Sequence, residues 1–448
     1  MATSESRMSN LNRGIFSIEK KPSIGGQCFP ETLATIVFNR WDKLVSGDYT
    51  PPPLPSKKIL KSILEIAYIT GGAPEEDRYP RFNIVATPLG NSEETGQLGK
   101  IWQFSKRRQF TVSDLRRLAP AADIKKSAIW VQWSKSKLYI SGLIDLGTSW
   151  SRARIGLEYR YASPHCLLIQ VERPGRMRVY QRSYHVATLS DGSIEGHEGF
   201  GFHLSLHEPT NCGIESIKSD LIRPKVEHPK EFLEFEFIAL WNTFAAIANS
   251  VSQLKHGGAI IIVPSAKKSI DNLRIKYKQE TQILRSSFIR FINERHILGD
   301  MIAKKENGES IPENSLSLAD SACQKSFNDL VEATRFVAQL SGCDGAIVIS
   351  DDLQLLGFGA EITAEMPNST PIFEADSEYH EANRDYRQLN LEQFGMRHRS
   401  AVKLVSHETK YRVLVVSQDG PISAVWSEQK KVIVRRGVNL VNMNMPWA

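Results

Sequence analysis

The sequence predicts a multidomain α/β (α+β) protein in which a β-rich N-terminal domain precedes a C-terminal mixed-sheet domain flanked by helices. The chain has 448 residues, which suffices for about three domains. Apolar residues form 41% of the chain and charged residues 24%, as in ordinary globular proteins. Strand-like alternation dominates the first half, whereas long helical patterns and further strands occupy the second half.

Changes in these patterns divide the chain into four segments. Residues 1–57 contain a polar start, one short helix and a linker in which four prolines in five positions favour an extended chain. Residues 58–268 form a β-rich domain, residues 269–314 form connecting helices, and residues 315–448 form the C-terminal domain. We expect a sensing or scaffolding role for the β-rich domain, because its sequence contains no catalytic constellation.

Within residues 58–268, period-two patterns bounded by turn residues indicate a series of strands. We predict strands at 81–86, 127–133, 137–144, 166–171, 176–181 and 184–189, a helix at 112–118, a helix at 231–254 and a buried strand at 259–264. The segment 95–101 lacks the Walker spacing and is predicted as a loop. The histidine-rich segment 197–212 is predicted as a polar strand or loop, with a metal site as the alternative.

The second half combines long helices with late strands. We predict helices at about 269–305 and at 316–340, followed by a strand that begins after Asp344 and turns back at 351–352. The final strands are predicted at 401–405, 412–417, 422–426 and 431–435. Between these elements, the acidic stretch 363–391 is interpreted as a lid or an oligomer contact.

Cysteine content and charge narrow the functional classes. The five cysteines are odd in number and none are spaced as CxxC, which argues against a disulfide framework and a zinc knuckle. The N-terminus has no apolar signal-peptide region, and the most apolar stretch, 235–251, is too polar and too short to span a bilayer. We therefore expect a cytoplasmic protein with no membrane contact of its own. Its net charge of +6 permits an anionic ligand without requiring a nucleic-acid surface.

Two short motifs in the last segment carry groups suited to nucleotide chemistry. The Asp-Gly-Ala motif at 344–346 places a carboxylate beside a backbone with little side-chain bulk, which a flat ligand can approach closely. The Arg-His-Arg motif at 397–399 places two fixed cations around an imidazole, and arginine forks suit phosphate oxygens. These are the groups needed to bind a nucleoside triphosphate with a metal and to transfer a phosphoryl or nucleotidyl group.

Together, the two motifs resemble those of the diadenylate cyclase (DAC) family. That family has a D-G-A motif at the start of a strand and, about fifty residues later, a G-T-R-H-R-[AST]-A motif; this chain has G-M-R-H-R-S-A at 395–401 and a matching V-V-S at 415–417. The resemblance covers residues 316–440. Departures from the family are Met396 in place of threonine, Lys403 in place of a common glycine, and a histidine that interrupts a Ser-Glu pair at 406–408.

The resemblance implies a nucleotidyltransferase, a diadenylate cyclase that condenses two ATP molecules into the second messenger cyclic di-AMP and releases two pyrophosphates. Each family protomer holds one ATP, so that two sites face each other in a homodimer or higher homo-oligomer. The implied metal is Mg²⁺ or Mn²⁺. The N-terminal domain would receive a signal of unknown identity and regulate the reaction.

Functional residues are carried over from the family position by position. The implied catalytic residues are Asp344, Arg397, His398 and Arg399. Asp344 would assist the 3′-hydroxyl, and the other three would hold the triphosphate. The nucleotide-binding residues that the resemblance implies are Gly345, Ala346, Met396, Ser400 and Ser417. Gly359 is added to them because the glycines at 357 and 359 predict a strand bend near the nucleotide. The implied metal ligands are Asp344 and Glu408, and because a histidine interrupts the Ser-Glu pair, His407 is the alternative to Glu408.

Two hypotheses from other functional classes remain. In the first, the altered segment 406–408 has lost its metal chemistry, and the protein is a catalytically inactive nucleotide-binding sensor of the same fold. In the second, the basic and aromatic cluster at 102–117 makes the protein a nucleic-acid-binding regulator. A solvated face beside core aromatics is the simpler interpretation of that cluster, so nucleic acid is not the expected partner.

Overall fold

The computed structural model divides the chain into two compact units, Met1–Arg152 with Tyr161–His197 and Ala153–Arg160 with Glu198–Ala448. The sequence prediction of the fold class is confirmed, because a β-rich N-terminal region is followed by a mixed-sheet region with helices. The residues that the structure describes are 27–43, 50–90, 100–135, 137–147, 165–182, 184–195, 199–222, 229–267, 270–280, 282–312, 314–365, 370–375, 386–418 and 421–438.

The first unit packs short helices on one face of a sheet. Its helices are α1 (Pro30–Arg40), α2 (Lys57–Gly72) and α3 (Val112–Leu118). Its strands are β1 (Phe82–Pro88), β2 (Lys100–Gln109), β3 (Ser127–Trp133), β4 (Leu138–Asp145), β5 (Leu167–Arg173), β6 (Arg176–Gln181), β7 (Tyr184–Ser190) and β8 (Ser193–Glu195). The strand order is β2-β4-β3-β1-β5-β6-β7-β8, with β1 and β3 parallel. Apolar side chains of all three helices share one core with this sheet.

The strands predicted in the first unit are all present, because each buries an alternating apolar face. Strand β2 was not predicted. It lies at the edge of the sheet and most of its side chains are exposed, so its sequence carries no apolar alternation. Of the loop predicted at 95–101, residues 95–99 lie outside the described residues. Its last two residues, 100 and 101, begin β2.

The second unit surrounds a longer sheet with helices. Its helices are α4 (Gly199–Ile217), α5 (Pro229–Leu254), α6 (Ile283–Glu306), α7 (Ser315–Gln339) and α8 (Met396–His407). Its strands are β9 (Gly258–Val263), β10 (Leu273–Lys278), β11 (Ala346–Ser350), β12 (Leu355–Ile362), β13 (Ile372–Ala375), β14 (Tyr386–Gln388), β15 (Arg412–Val416), β16 (Ile422–Glu428) and β17 (Lys431–Val438). The strand order is β10-β12-β11-β9-β15-β16-β17-β13-β14.

The centre of this sheet is buried on both faces. Along β9, Ile260 and Ile262 join the core formed with helices α4 to α7, whereas Ile261 and Val263 join the core formed with α8. Strands β11 and β15 divide their side chains between the same two cores. Because successive strand residues point to opposite faces, an uninterrupted apolar run such as β9 is what a central strand requires. The second unit is therefore a three-layer arrangement of helices, sheet and helix.

The strand predicted at 401–405 is wrong, because these residues belong to helix α8. Ala401, Val402, Leu404 and Val405 are buried, and their spacing of one, three and four residues fits one face of a helix. The Arg-His-Arg motif therefore lies in the first turn of a helix. It does not lead into a strand as the sequence analysis expected.

Two other predicted elements also differ from the structure. The helix predicted at 269–305 contains β10 before α6 begins, because Leu273, Ile275 and Tyr277 alternate along the edge of the sheet. The predicted strand or loop at 197–212 is part of α4 from Gly199 onwards, and residues 197–198 lie outside the described residues. In the part of the chain that the structure describes, no cluster of three or more histidine, cysteine or carboxylate side chains is arranged to hold a metal.

The second compact unit combines parts of three predicted segments, 58–268, 269–314 and 315–448. Strand β9 pairs with β11 and β15, and β10 pairs with β12, so both belong to the C-terminal sheet. Helices α4 to α7 share one core with that sheet, so α6 is a packed layer and does not only connect domains. In the acidic stretch 363–391, β13 and β14 extend one edge of the sheet, while 366–369 and 376–385 lie outside the described residues.

A membrane span requires a helix of sufficient length and hydropathy. Among the helices formed by the described residues, none meets that requirement.

Candidate functional site

Strand pairing brings distant parts of the chain together at one end of the central strands of the second sheet. Strands β9 and β11 run parallel, with Ala259 opposite Ala346, so Gly257 and Asp344 both lie two residues ahead of that pair. Strand β15 runs antiparallel to β9 and ends opposite Gly258, which brings Ser417 to the same edge. We call this edge, at the start of β9 and β11 and the end of β15, the motif edge.

Asp344 occupies the motif edge with its carboxylate exposed to solvent. The following residue, Gly345, has a φ of +117°, a conformation that residues with a side chain rarely adopt. A Cβ atom on Gly345 would lie 2.5 Å from the backbone carbonyl carbon of Gly359 on β12. The Asp-Gly-Ala motif therefore allows two backbones to meet, while Ala346 is buried beneath them in the core.

Helix α8 brings the second motif to this edge. Its N-cap is Gly395, which offers no side chain to the free N–H groups of the first turn. The Nη1 atom of Arg397 lies 2.8 Å from where a Cβ atom on Gly257 would be, so the guanidinium lies over the start of β9. Arg399 is exposed, and the side chain of Met396 is 77% exposed. Asp344 and Arg397 thus lie at the same edge of the sheet.

His398 has a different environment from the two arginines. Its ring is half-buried, and its Nε2 atom lies 3.0 Å from Oγ of Ser423 at the start of β16. The ring also contacts Phe394, with the ring centroids 5.6 Å apart. Burial, followed by the positive charge of Arg436, lowers the pKa of His398. The neutral imidazole therefore fixes the first turn of α8 against the sheet, and Arg397 and Arg399 supply the positive charge.

An aromatic surface that the sequence motifs do not predict lies beside Asp344. Tyr277 on β10 is 54% exposed and stacks on Phe358 of β12, with ring centroids 4.9 Å apart and an interplanar angle of 23°. A Cβ atom on Gly359 would lie 3.1 Å from the ring of Tyr277 and 3.5 Å from the carbonyl oxygen of Asp344. The alternation in β10 could have revealed Tyr277, had the segment been interpreted as a strand.

Charged residues next to this surface are already paired. Glu361 on β12 accepts hydrogen bonds from Arg274 and forms an ion pair with Lys276 at 3.0 Å. The hydrogen bond to Glu361 is the main reason why the pKa of Lys276 is raised, and the charge of Asp344 adds to it. Asp344 itself forms no ion pair within the described part of the chain, so its carboxylate is available to a ligand.

The structure does not bring Glu408 and His407 to the motif edge. They end α8, and a twelve-residue helix is about 18 Å long, so they lie at the opposite end of the sheet. The Glu408 carboxylate accepts hydrogen bonds from Lys267 (2.7 Å) and Asn272 (2.9 Å). The Nε2 atom of His407 lies 2.7 Å from the carbonyl oxygen of Glu365. Of these three candidate metal ligands, Asp344 alone lies at the motif edge.

Two predicted hydroxyl contacts, Ser400 and Ser417, are half-buried. Ser417 follows β15 at the motif edge, and its N–H donates to the carbonyl oxygen of Pro421. The backbone nitrogen of Gln418, a residue that the sequence did not single out, lies at the same place, 3.1 Å from a Cβ position on Gly257. Ser400 lies one turn of α8 after Arg397.

The basic cluster at 102–117 lies in the first unit. Strand β2 exposes Lys106 and Arg107 at the edge of the sheet, and Trp102 is 68% exposed. Arg108 pairs with Asp114 and Arg116 with Glu75, so part of this charge is balanced within the fold. Phe110 is buried in the core.

At the motif edge the second unit exposes Arg397 and Arg399, which suit an anionic ligand, together with the carboxylate of Asp344. Residues 49–145 match a protein-family model described as "Probable sensor domain DACNV", the N-terminal sensor domain of DAC-family proteins. The match covers α2, α3 and β1 to β4, which is about a fifth of the chain. A search among curated proteins gave no match.

We expect Gly345→Ala to destabilise the second unit by about 2–4 kcal/mol, because the new methyl group meets the backbone of Gly359 and the positive φ becomes strained. Urea denaturation followed by tryptophan fluorescence measures this change. The control is Gly342→Ala, where the nearest atom is 3.9 Å away and the change should stay within about 0.5 kcal/mol. Equal stabilities of the two variants would contradict the close approach described for Gly345.

Proposed function

We propose that the second unit is a diadenylate cyclase, which joins two ATP molecules into cyclic di-AMP, and that the first unit regulates it as a sensor. The single observation that supports this most is that Asp344 and Arg397 both lie at the motif edge, although 53 positions separate them in the sequence. The sensor match supports the same proposal from the other half of the chain.

The start of α8 is suited to a triphosphate. Its first-turn N–H groups have no side-chain cap, and the helix dipole favours negative charge at this end. Arg397 and Arg399 are exposed and, in the described part of the chain, make no ion pair. Arginine forks bind phosphate oxygens in pairs, so these two side chains would hold the phosphates while His398 keeps the helix in place.

The opposite side of the motif edge is suited to a nucleoside. The exposed face of Tyr277 can stack with an adenine ring, as aromatic side chains do with nucleobases. Gly345 and Gly359 leave the neighbouring backbone without side-chain bulk, so the sugar can approach Asp344 closely. In this arrangement the nucleotide would extend from Tyr277 across Asp344 to the first turn of α8.

The reaction proposed for this site is a nucleotidyl transfer. The 3′-oxygen of one ATP forms a bond to the α-phosphorus of the other, and the bond from that phosphorus to the bridging oxygen of pyrophosphate breaks. Asp344 would accept or orient the proton of the 3′-hydroxyl, and Arg397 and Arg399 would stabilise the charge on the leaving pyrophosphate. The same transfer in the opposite direction closes the ring.

The residues at the motif edge fit a divalent cation held in part by the substrate. Mg²⁺ is commonly bound by one or two carboxylates together with substrate phosphates, and the unpaired carboxylate of Asp344 offers one such ligand. Bound there, Mg²⁺ or Mn²⁺ would supply positive charge beside the phosphates. Glu408 would not take part, because Lys267 and Asn272 occupy its carboxylate at the other end of α8.

The position of Glu408 and His407 also favours a second candidate function. With one carboxylate at the motif edge, the second unit would bind a nucleotide and signal its presence without turning it over. The two candidates share the binding site and differ in whether bond formation follows binding.

Incubation of the full chain with ATP and Mn²⁺ or Mg²⁺ separates these candidates. We expect cyclic di-AMP, with two pyrophosphates released for each molecule formed, detected by mass spectrometry and a coupled pyrophosphate assay. ATP binding without product would support the inactive sensor, and absence of ATP binding would refute both candidates.

We expect Asp344→Asn to lower turnover by about 100-fold or more while ATP binding changes little, because the lost group acts mainly in the transition state. Initial rates and equilibrium ATP binding measure the two effects. Asp329→Asn is the matched control, since Asp329 lies on α7 and pairs with Arg290 at 3.5 Å. Unchanged turnover in Asp344→Asn would remove the role proposed for this carboxylate.

Since one protomer holds half of the reacting system, specific activity should fall when the protein is diluted below its dimer dissociation constant. Initial rates over a dilution series, compared with sedimentation at the same concentrations, measure this dependence. Constant specific activity in a sample shown to be monomeric would be incompatible with two facing sites.

A further inference from the structure

The second unit contains a cavity of about 440 Å³ at the opposite end of the sheet from Asp344. Helix α4 contributes Glu208 and Cys212 to its wall, the end of β9 contributes Ile262, and the turns that follow contribute Pro264 and Asp351. Pockets that bind small molecules commonly measure about 300–1,000 Å³.

The cavity is separate from the motif edge. Asp344 lies just before β11 and Asp351 directly after it, and a strand of five residues is about 16 Å long. The strand between them is fully buried, so no surface path joins the two places along β11. A ligand in this cavity would therefore leave the motif edge free.

Asp351 is the unusual residue of the cavity. It is only 3% exposed, and its Oδ1 atom accepts a hydrogen bond from the N–H of Ser265 at 2.9 Å. Among the described residues it has no ion pair, although buried carboxylates in proteins are normally paired with a cation. Burial is the main reason why the pKa of Asp351 is raised, and the neighbouring charge of Asp352 acts in the same direction.

The surrounding arginines are bound to other partners. Arg412 donates from Nη2 to Glu208 at 2.8 Å and from Nε to the carbonyl oxygen of Ser205 at 2.9 Å. Pro209, four residues later in α4, has no N–H to donate to that carbonyl. Arg285 pairs with Asp352 and Asp220. Neither arginine therefore neutralises Asp351.

One cation does line the cavity. Lys410 is exposed and, within the described residues, is not within ion-pair distance of Asp351. Two further carboxylates of the lining, Glu208 and Glu215, are paired with Arg412 and Lys218, so Asp351 is the lining carboxylate that has no ion pair among the described residues. The remaining walls, formed by Ile262 and Pro264 among others, are apolar. A ligand that complements this lining carries one positive charge on an apolar body.

We propose that this cavity binds a small organic cation, whose protonated nitrogen pairs with the carboxylate of Asp351 and whose apolar part lies against Ile262 and Pro264. The nitrogen replaces the missing counter-ion of a buried carboxylate, and the apolar part leaves water. This site is independent of the proposed cyclase activity.

Calorimetric titration of the full chain tests this proposal, with benzylamine as the cation and benzyl alcohol as its neutral counterpart. We expect saturable benzylamine binding, at least about tenfold weaker binding of benzyl alcohol, and a similar loss for benzylamine in Asp351→Asn. Asp344→Asn, the same change at the other end of β11, should bind benzylamine as the unaltered chain does. Absence of benzylamine binding, or equal binding to Asp351→Asn, would overturn the proposal.

A second test does not depend on changing Asp351. Benzylamine should slow the reaction of N-ethylmaleimide with Cys212, which lines the cavity, and should not slow the reaction with Cys343 beside Asp344. Cys212→Trp should fill the cavity and reduce benzylamine affinity by at least about tenfold, while circular dichroism shows the fold retained. Unprotected Cys212, or unaltered affinity in Cys212→Trp, would place the ligand elsewhere.

Discussion

The parallel pairing of β9 with β11, continued on the other side of β9 by antiparallel β15, is the constraint on which the second unit depends. It fixes which ends of these strands share an edge of the sheet. Gly257, Asp344 and Ser417 are as far as 160 positions apart in the chain, yet they lie side by side because of this pairing. Helix α8 shares a core with these three strands and starts at the same edge, so Arg397 lies over the start of β9.

Much of this architecture could be predicted from local pattern. Buried strands such as β9 and β15 are short apolar runs between turn residues, and α5 and α7 have clear helical spacing. The apolar run at 401–405 was misinterpreted because five residues do not distinguish a strand from one face of a helix. β10 was missed because its outward side chains are charged and its polar flanks resemble a surface helix.

The candidate site was predictable to the extent that its residues stand in contiguous motifs. Asp344 and Arg397 belong to such motifs, whereas Gly257 and Tyr277 reach the site through strand pairing and have no local signature. Glu408 was assigned to the site because it follows the Arg-His-Arg motif closely in sequence. Along a helix, however, eleven residues correspond to about 17 Å, so closeness in sequence became separation in space.

Ion pairing separates the carboxylates of the second unit into those neutralised within the fold and those whose charge a ligand could neutralise. Glu361 and Glu408 are neutralised by neighbouring cations, and their side chains are part of the structure. Asp344 and Asp351, at the two ends of β11, lack such partners among the described residues. Asp344 is exposed at the same edge of the sheet as Arg397, so it suits a phosphate-bearing ligand that brings its own cation. Asp351 is buried beside a largely apolar cavity, so it suits a ligand that is itself the cation.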